Sequence, residues 1–306
     1  MREGEKIVVK VRRQEPGSAE PTFSTHEVPY QKYMRIIDTL SWINALGENI
    51  AFRWFCSTKK CGACAMKVNG VPRLTCWEAA ERENVIEPLD NYEVLRDLVV
   101  NREAYQARYL KMKPHVERTY TAPFPEPLKH ADMLGTYKLM DCIECGICTS
   151  ACPAYTGIDG AFPGPWALVQ AAKFARDPRD ELDRSKDIEN SGVDYCMSCY
   201  RCEEVCPVEI SIVSEAIEPL RGIAARGPEG KASFPLAFAQ NVRDNVYIHS
   251  ASLYVGSRGA FKAVKSLSMA LQMFSRGKTK LYIKIDQTAQ RIIDALFRAA
   301  GEQEVR

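Results

Sequence analysis

The apolar positions follow two different rhythms. Lys6 to Arg13 (KIVVKVRR) is rich in β-branched residues with charged ends and reads as a strand. Phe23 to Val28 is its expected partner across the polar EPGSAEP turn. Ile36, Ile37, Leu40 and Ile43 recur at near-helical spacing before Gly47, which predicts a short helix over Arg35 to Leu46. AMKVNGVPRLTC reads as a hairpin turning at Asn69-Gly70. Val85 to Leu89 is the last short strand expected.

From Tyr92 the rhythm becomes helical. Val94, Leu95, Leu98, Val99 and Arg102 define one face of a helix expected to run to about Met112, before Pro114. A proline-rich link, TAPFPEP, follows, then a short helix near Met133 to Met140. Pro165 to Arg176 (PWALVQAAKFAR) has proline in its first turn and Asp177-Pro178 after its end, a well-delimited helix. Another helix is expected through Ile217, kinked at Pro219. Past Gly227 the pattern stays mostly helical. Phe261, Val264, Leu267, Leu271 and Phe274 form one stripe, and Ala289, Ile292, Ile293, Leu296 and Phe297 another. The chain thus divides into an α+β segment over 1–100, an all-α segment over 101–227 and a helical extension over 228–306.

A net charge of +2 gives bulk electrostatics no reason to favour nucleic acid. The opening MREGEKIVVKVRR has no apolar core of a signal peptide and carries two early acids, so no leader is expected. No apolar run approaches the ~18 residues of a membrane span. These features place the chain in the cytoplasm, with any membrane contact peripheral. Between Asp244 and Asp286 there is no acid, while Arg258, Lys262, Lys265, Arg276, Lys278, Lys280 and Lys284 are basic. Such an amphipathic stretch can dock on the protein itself, on a partner, or on an anionic membrane face.

The chemistry lies in the twelve cysteines, which fall into three groups with none left over. Cys56-x4-Cys61-x2-Cys64, closed by Cys76, has the spacing of a plant-type [2Fe–2S] site. Gly62, Ala63 and Ser57 are small enough to let backbone N–H groups turn toward sulfur. Cys142-x2-Cys145-x2-Cys148-x3-Cys152-Pro153 and Cys196-x2-Cys199-x2-Cys202-x3-Cys206-Pro207 repeat the two-cluster ferredoxin pattern, in which the fourth cysteine serves the other cluster. The expected sets are Cys142, Cys145, Cys148 with Cys206, and Cys196, Cys199, Cys202 with Cys152. Structural zinc also accepts four thiolates, but in two separated C-x2-4-C halves. His26, His115, His130 and His249 stand outside all groups, which argues against a Rieske centre. No nucleophile elbow, phosphate loop or dinucleotide fingerprint appears, so no substrate chemistry is expected on this chain.

FRWFCSTKKCGACAMKVNG, VIEPLDNYEVLRDLVVNREAYQARYLKMKPHV, DCIECGICTSACPAY and GPWALVQAAKFARDPRD resemble, in this order, the iron–sulfur subunit of succinate dehydrogenase and fumarate reductase. The resemblance covers roughly Ile7 to Ile217. It implies a β-grasp [2Fe–2S] domain followed by an all-α two-cluster domain. It also implies an electron-transfer role between a flavoprotein, whose covalent FAD interconverts succinate and fumarate, and a membrane-anchor or electron-carrier subunit. Iron–sulfur subunits of glycolate, glycerol-3-phosphate or heterodisulfide-linked flavoproteins share the paired motif but often lack the N-terminal domain.

The chain departs from that family in three places. The family's third centre is usually [3Fe–4S], because the second position of the last motif is not cysteine; here it is Cys199, which predicts a second [4Fe–4S]. The alternative is a three-iron cluster with Cys199 as a buried small residue beside it. The family's usual quinone contacts fall at Met197 and Gly157, where histidine and tryptophan are missing. These two departures resemble a branch that delivers electrons to a cysteine-rich partner related to heterodisulfide reductase. The third departure is the long basic tail.

Overall fold

β1 (Lys6–Arg13) is an interior strand of a five-stranded sheet in a computed structural model that describes residues 1–18, 20–157, 160–225, 234–258, 267–277 and 286–303. It pairs antiparallel with β2 (Thr22–Pro29), Val9 opposite His26, and parallel with β5 (Glu83–Glu87), Val8 opposite Glu83. β3 (Ala65–Val68) and β4 (Val71–Leu74) complete the order β2-β1-β5-β3-β4. Along β1 the side chains alternate, so Ile7, Val9 and Val11 are buried while Lys6 and Lys10 are exposed. α1 (Ile36–Ala45) closes that inner face with Ile36, Leu40 and Ile43, alongside Val28, Met66, Val68 and Ile86. Each fully buried aliphatic side chain contributes about 1.5–3 kcal/mol. The start of α1 is fixed by Asp38, whose carboxylate accepts from the Arg35 N–H at 2.8 Å. This is the β-grasp arrangement of the expected α+β class.

The hairpin turns where expected, with Asn69 and Gly70 at φ 49° and 81°. The strand expected over Val85 to Leu89 lies instead over Glu83–Glu87.

The helix expected from Tyr92 does not form there. The chain makes a small hairpin, β6 (Val94–Arg96) with β7 (Val99–Val100), and α2 (Glu103–Lys111) begins only afterwards. Asp97 accounts for the difference. It sits at the turn with φ 48°, and its carboxylate is 1% exposed. That carboxylate accepts from Arg13 Nε at 3.0 Å, the Gln14 N–H at 3.1 Å and the Ala51 N–H at 2.9 Å. A buried charged acceptor with three donors outweighs a local helical preference of a few tenths of a kcal/mol per residue. Asp97→Ala leaves those donors unpaired, with an expected cost of about 2–4 kcal/mol. The check is a lowered melting temperature of the anaerobically purified chain, with Asp97→Asn recovering only part of the loss.

Next come α3 (His130–Met140), α4 (Ile147–Ser150) and α5 (Pro165–Ala175). Residues Pro165 to Ala172 are buried throughout, so α5 is the central helix of this part. Gly135 on α3 gives up a side chain where one would collide with the Arg176 guanidinium. The kink anticipated at Pro219 takes the form of a wider π-type turn over Ile212–Ile217, after which an α-helix resumes over Glu218–Ala225. Pro219 has no N–H for the carbonyl of Glu215, and Arg176 Nη1 serves that carbonyl instead at 2.6 Å.

Packing groups Met1–Arg184 with Ser191–Leu220 in one unit, and Ser185–Asn190 with Arg221–Arg306 in another. The second unit includes helices Phe234–Asn245, Ser250–Arg258, Leu267–Ser275 and Gln287–Gln303. Buried Asn241 ties the first two together, donating to the His249 carbonyl at 3.0 Å and accepting from its N–H at 2.8 Å. The stripe on the last helix divides: Phe297 lies against Arg243, whereas Ile292 and Leu296 are exposed. Leu271 and Phe274 are also exposed, while Phe261, Lys262, Val264 and Lys265 lie outside the described residues. Among the described residues no helix is long and apolar enough to cross a membrane.

Candidate metal centres

The first cysteine set is built by the loop between α1 and β3 and by the hairpin base. Cys64 immediately precedes β3 and Cys76 follows β4, so the pairing of Ala65 with Leu74 brings both thiols to one end of the hairpin. Thr75 locks that end, its N–H and hydroxyl both donating to the Cys64 carbonyl, at 3.1 and 2.9 Å. The loop from Cys56 to Cys64 winds through left-handed residues Ser57, Lys59 and Gly62. That winding turns backbone N–H groups inward. Thr58, Lys60 and Cys61 donate to Cys56 Sγ at 3.4, 3.4 and 3.3 Å. These donors, Thr58 first, draw the Cys56 thiol down to about 6. Burial, then a hydrogen bond with Cys64, pushes Cys76 up to about 11.

The second and third motifs have the same local geometry. In each, the residues two and four places after the first cysteine are left-handed: Glu144 and Gly146, then Ser198 and Tyr200. In each, a one-turn helix starts two residues after the second cysteine, α4 at Ile147 and its counterpart at Arg201. Ligand spacing is therefore repeated as backbone conformation. The surroundings differ. A side chain at Gly146 would meet the Tyr92 hydroxyl at 2.8 Å, whereas the Tyr200 side chain is exposed.

The thiols gather across the motifs. Cys142 and Cys145 both feel the charge of Cys206, and Cys148 feels Cys145, Cys142, Cys202 and Cys206. Cys152 instead feels Cys199 and Cys196, and Cys202 feels Cys152, Cys196 and Cys199. Burial is the leading cause that pushes Cys145 and Cys202 up to about 12 and Cys148 well above the usual thiol range. Further N–H donors aim at sulfur: Ser198 at Cys196 Sγ and Ile210 at Cys206 Sγ, both at 3.4 Å. Cys199 is exposed and so is not a buried core residue. Grouped thiols, with N–H groups turned onto Cys56, Cys196 and Cys206, match the donor needs of iron–sulfur clusters. Among the described residues no three His, Cys, Asp or Glu side chains converge to hold a single metal ion.

Several supporting residues carry no motif signal. Asn91, left-handed at φ 68°, donates to the carbonyls of Thr149, Ser150 and Cys152 at 2.9–3.2 Å. Tyr92 donates to the Gly146 carbonyl and Arg102 to the Cys145 carbonyl, each at 3.1 Å. Gln170 Nε2 lies 3.4 Å from Cys142 Sγ. Gly62 has a second role beyond its φ of 68°: a Cβ there would lie 2.7 Å from the Ile143 carbonyl oxygen and 2.9 Å from Cys145 Cα. The first loop therefore rests directly on the second motif. Gly62→Ala is expected to cost about 2–3 kcal/mol through backbone strain and overpacking. Thermal unfolding of the purified chain measures it, and Ala63→Ser is the control.

Comparison with known proteins agrees with this layout. Residues 8–107 match the 2Fe-2S iron-sulfur cluster binding domain family, and residues 138–210 the 4Fe-4S dicluster domain family. The chain is 38% identical to one subunit of the fumarate reductase (CoM/CoB) of Methanothermobacter marburgensis, over 73% of its own length and 45% of the relative's. It thus spans less than half of that relative. It is 32% identical to the fumarate reductase iron-sulfur subunit of Haemophilus influenzae, over 67% of this chain and 88% of the other. The counterpart from Mycobacterium tuberculosis is 30% identical, with coverages of 76% and 98%. Among solved structures, a chain of the Mycobacterium smegmatis Sdh1 complex in the apo form superposes with a TM-score of 0.62 at 26% identity. The match covers 72% of this chain and 95% of that one.

Proposed function

The chain belongs to the family of fumarate reductase and succinate dehydrogenase iron–sulfur subunits, and from that premise we propose that it carries electrons between a flavoprotein subunit and an acceptor subunit of such a complex. The flavoprotein partner, with its FAD, would interconvert succinate and fumarate. Bound iron–sulfur clusters would supply one-electron carriers, which let a two-electron flavin reaction proceed in single steps.

Cys56, Cys61, Cys64 and Cys76 would hold the [2Fe–2S] group. Cys142, Cys145, Cys148 and Cys206 would hold one [4Fe–4S] group, and Cys152, Cys196, Cys199 and Cys202 the other. The observation that carries the reading is the gathering of Cys206 with the second motif and Cys152 with the third. Asn91, Tyr92 and Arg102 tie the second motif to the segment that follows the β-grasp sheet. Gly62 keeps the first loop against it. Met197 and Gly157, where the family's usual quinone contacts are missing, support a cysteine-rich acceptor of the heterodisulfide-reductase kind over direct quinone contact. Exposed Leu271, Phe274, Ile292 and Leu296 support a docking role for the tail, with the complex peripheral on the cytoplasmic face of the membrane.

Anaerobic purification of the native complex tests the reading. The expected result is a brown protein with about ten irons on this chain, co-purifying with a flavoprotein and a cysteine-rich subunit. A colourless chain carrying zinc overturns it.

A further inference from the structure

α5 carries one polar residue in its fully buried stretch PWALVQAA, and that residue is Gln170, 2% exposed. Its neighbours in the run are proline, tryptophan, leucine, valine and alanines. Burying an amide among them is costly unless it is hydrogen-bonded. Gln170 Nε2 lies 3.4 Å from Cys142 Sγ, within hydrogen-bonding range for sulfur. A cluster-bound thiolate only accepts, so an amide facing it would present its N–H, the orientation in which Gln170 stands here. The N–H donors to Cys56, Cys196 and Cys206 given above are backbone amides set by loop winding, and Thr58 and Cys64 add side-chain hydrogen bonds within the first set's own segment. Here a side chain on a separate, rigid helix supplies one. Trp166 and Ala167 of the same helix pack with Cys142 and Cys148, so α5 forms a wall of this set.

We propose that Gln170 is a positioning residue that tunes the cluster held by Cys142, Cys145, Cys148 and Cys206, raising its reduction potential through the N–H···S bond. The inference rests on the ligand set assigned to that cluster. Reduction adds negative charge to the cluster and its thiolates, and a fixed donor stabilises the reduced form more than the oxidised form. A hydrogen bond to a charged group is worth about a tenfold change in such an equilibrium.

The test is a redox titration of the full chain, followed by paramagnetic resonance, with iron counted on the same samples. Gln170→Met keeps the length and packing of the side chain and removes the donor. It is expected to lower the potential of this cluster by about 59 mV, the one-electron equivalent of tenfold, with iron content and the other two potentials unchanged. Gln170→Glu, of the same shape with a carboxylate, is expected to lower it further. Full iron content with an unmoved potential in both variants overturns the proposal. So does an equal shift of all three centres, or loss of this cluster's iron in both variants, since Gln170 would then act only through packing. Failure of the ligand assignment is read separately, from a Cys142→Ala chain whose iron content does not fall below that of the wild type.

Discussion

Cys206→Ala is expected to strip the cluster of the second motif and to leave the cluster of its own motif in place. Cys206 lies within the electrostatic reach of Cys142, Cys145 and Cys148, the last of which also feels Cys202, while Cys196 and Cys199 act on Cys152. Iron counting on double variants turns this crossing into arithmetic. Cys142→Ala, Cys206→Ala and the two together each leave about six irons of about ten, because all three strike one cluster. Cys206→Ala with Cys196→Ala leaves about two, because two clusters are struck. Uncrossed sets would reverse the two double variants, and that pattern would sink the assignment. Thermal unfolding should follow the same rule, since bound metal contributes folding free energy only where its ligands meet.

Cys199→Val converts the third cluster into a three-iron centre. Valine cannot bind iron, and Cys199 stands at the second motif position, the one that lacks cysteine where the family holds a three-iron centre; the remaining thiols, Cys152, Cys196 and Cys202, then form the ligand set of a cube missing one corner, whereas loss of Cys142 or Cys206 leaves no such set. The exposed position of Cys199 makes that corner the one facing solvent, so its loss disturbs no core packing. The expected signs are about nine irons in place of about ten, and a new paramagnetic signal in the oxidised protein. The potential should rise by on the order of 100 mV, because a thiolate and its charge leave. A wild-type chain that already gives the oxidised three-iron signal, unchanged in the variant, would refute a fourth ligand at Cys199.

Ligand spacing is written locally, because one loop must wrap one cluster, and so the three cysteine groups were legible without any structure. The β-grasp strands were legible for a similar reason: Ile7, Val9 and Val11 alternate against a single helix. The segment from Tyr92 to Arg102 was not. Its apolar spacing fits a helix, but its shape is decided by Arg13, Gln14 and Ala51, which reach Asp97 from far along the chain. Pro219 announced a break, though not the form it took, since that depended on Arg176 reaching the Glu215 carbonyl. Gln170 left a faint trace, one amide in an apolar helix, which becomes meaningful only when Cys142 is seen beside it. Gly62 was read as a loop residue that frees backbone amides; its contact with Ile143 and Cys145 belongs to packing between segments distant in sequence.

With the proposed ligand sets, the exchange of Cys152 and Cys206 between neighbouring motifs would also set a timetable for synthesis. A ribosome delivers the chain from its N-terminal side onward. The first set is complete once Cys76 has emerged, and the sheet around it needs only β5 beyond that point. The second set cannot be complete when its own motif emerges, because its last ligand is still untranslated. It waits for Cys206, by which time the third set is complete as well. On that assignment the two later clusters would be delivered to a chain already made through both motifs. A truncation between Pro153 and Tyr195 would leave an intact first site and, downstream, a partial one.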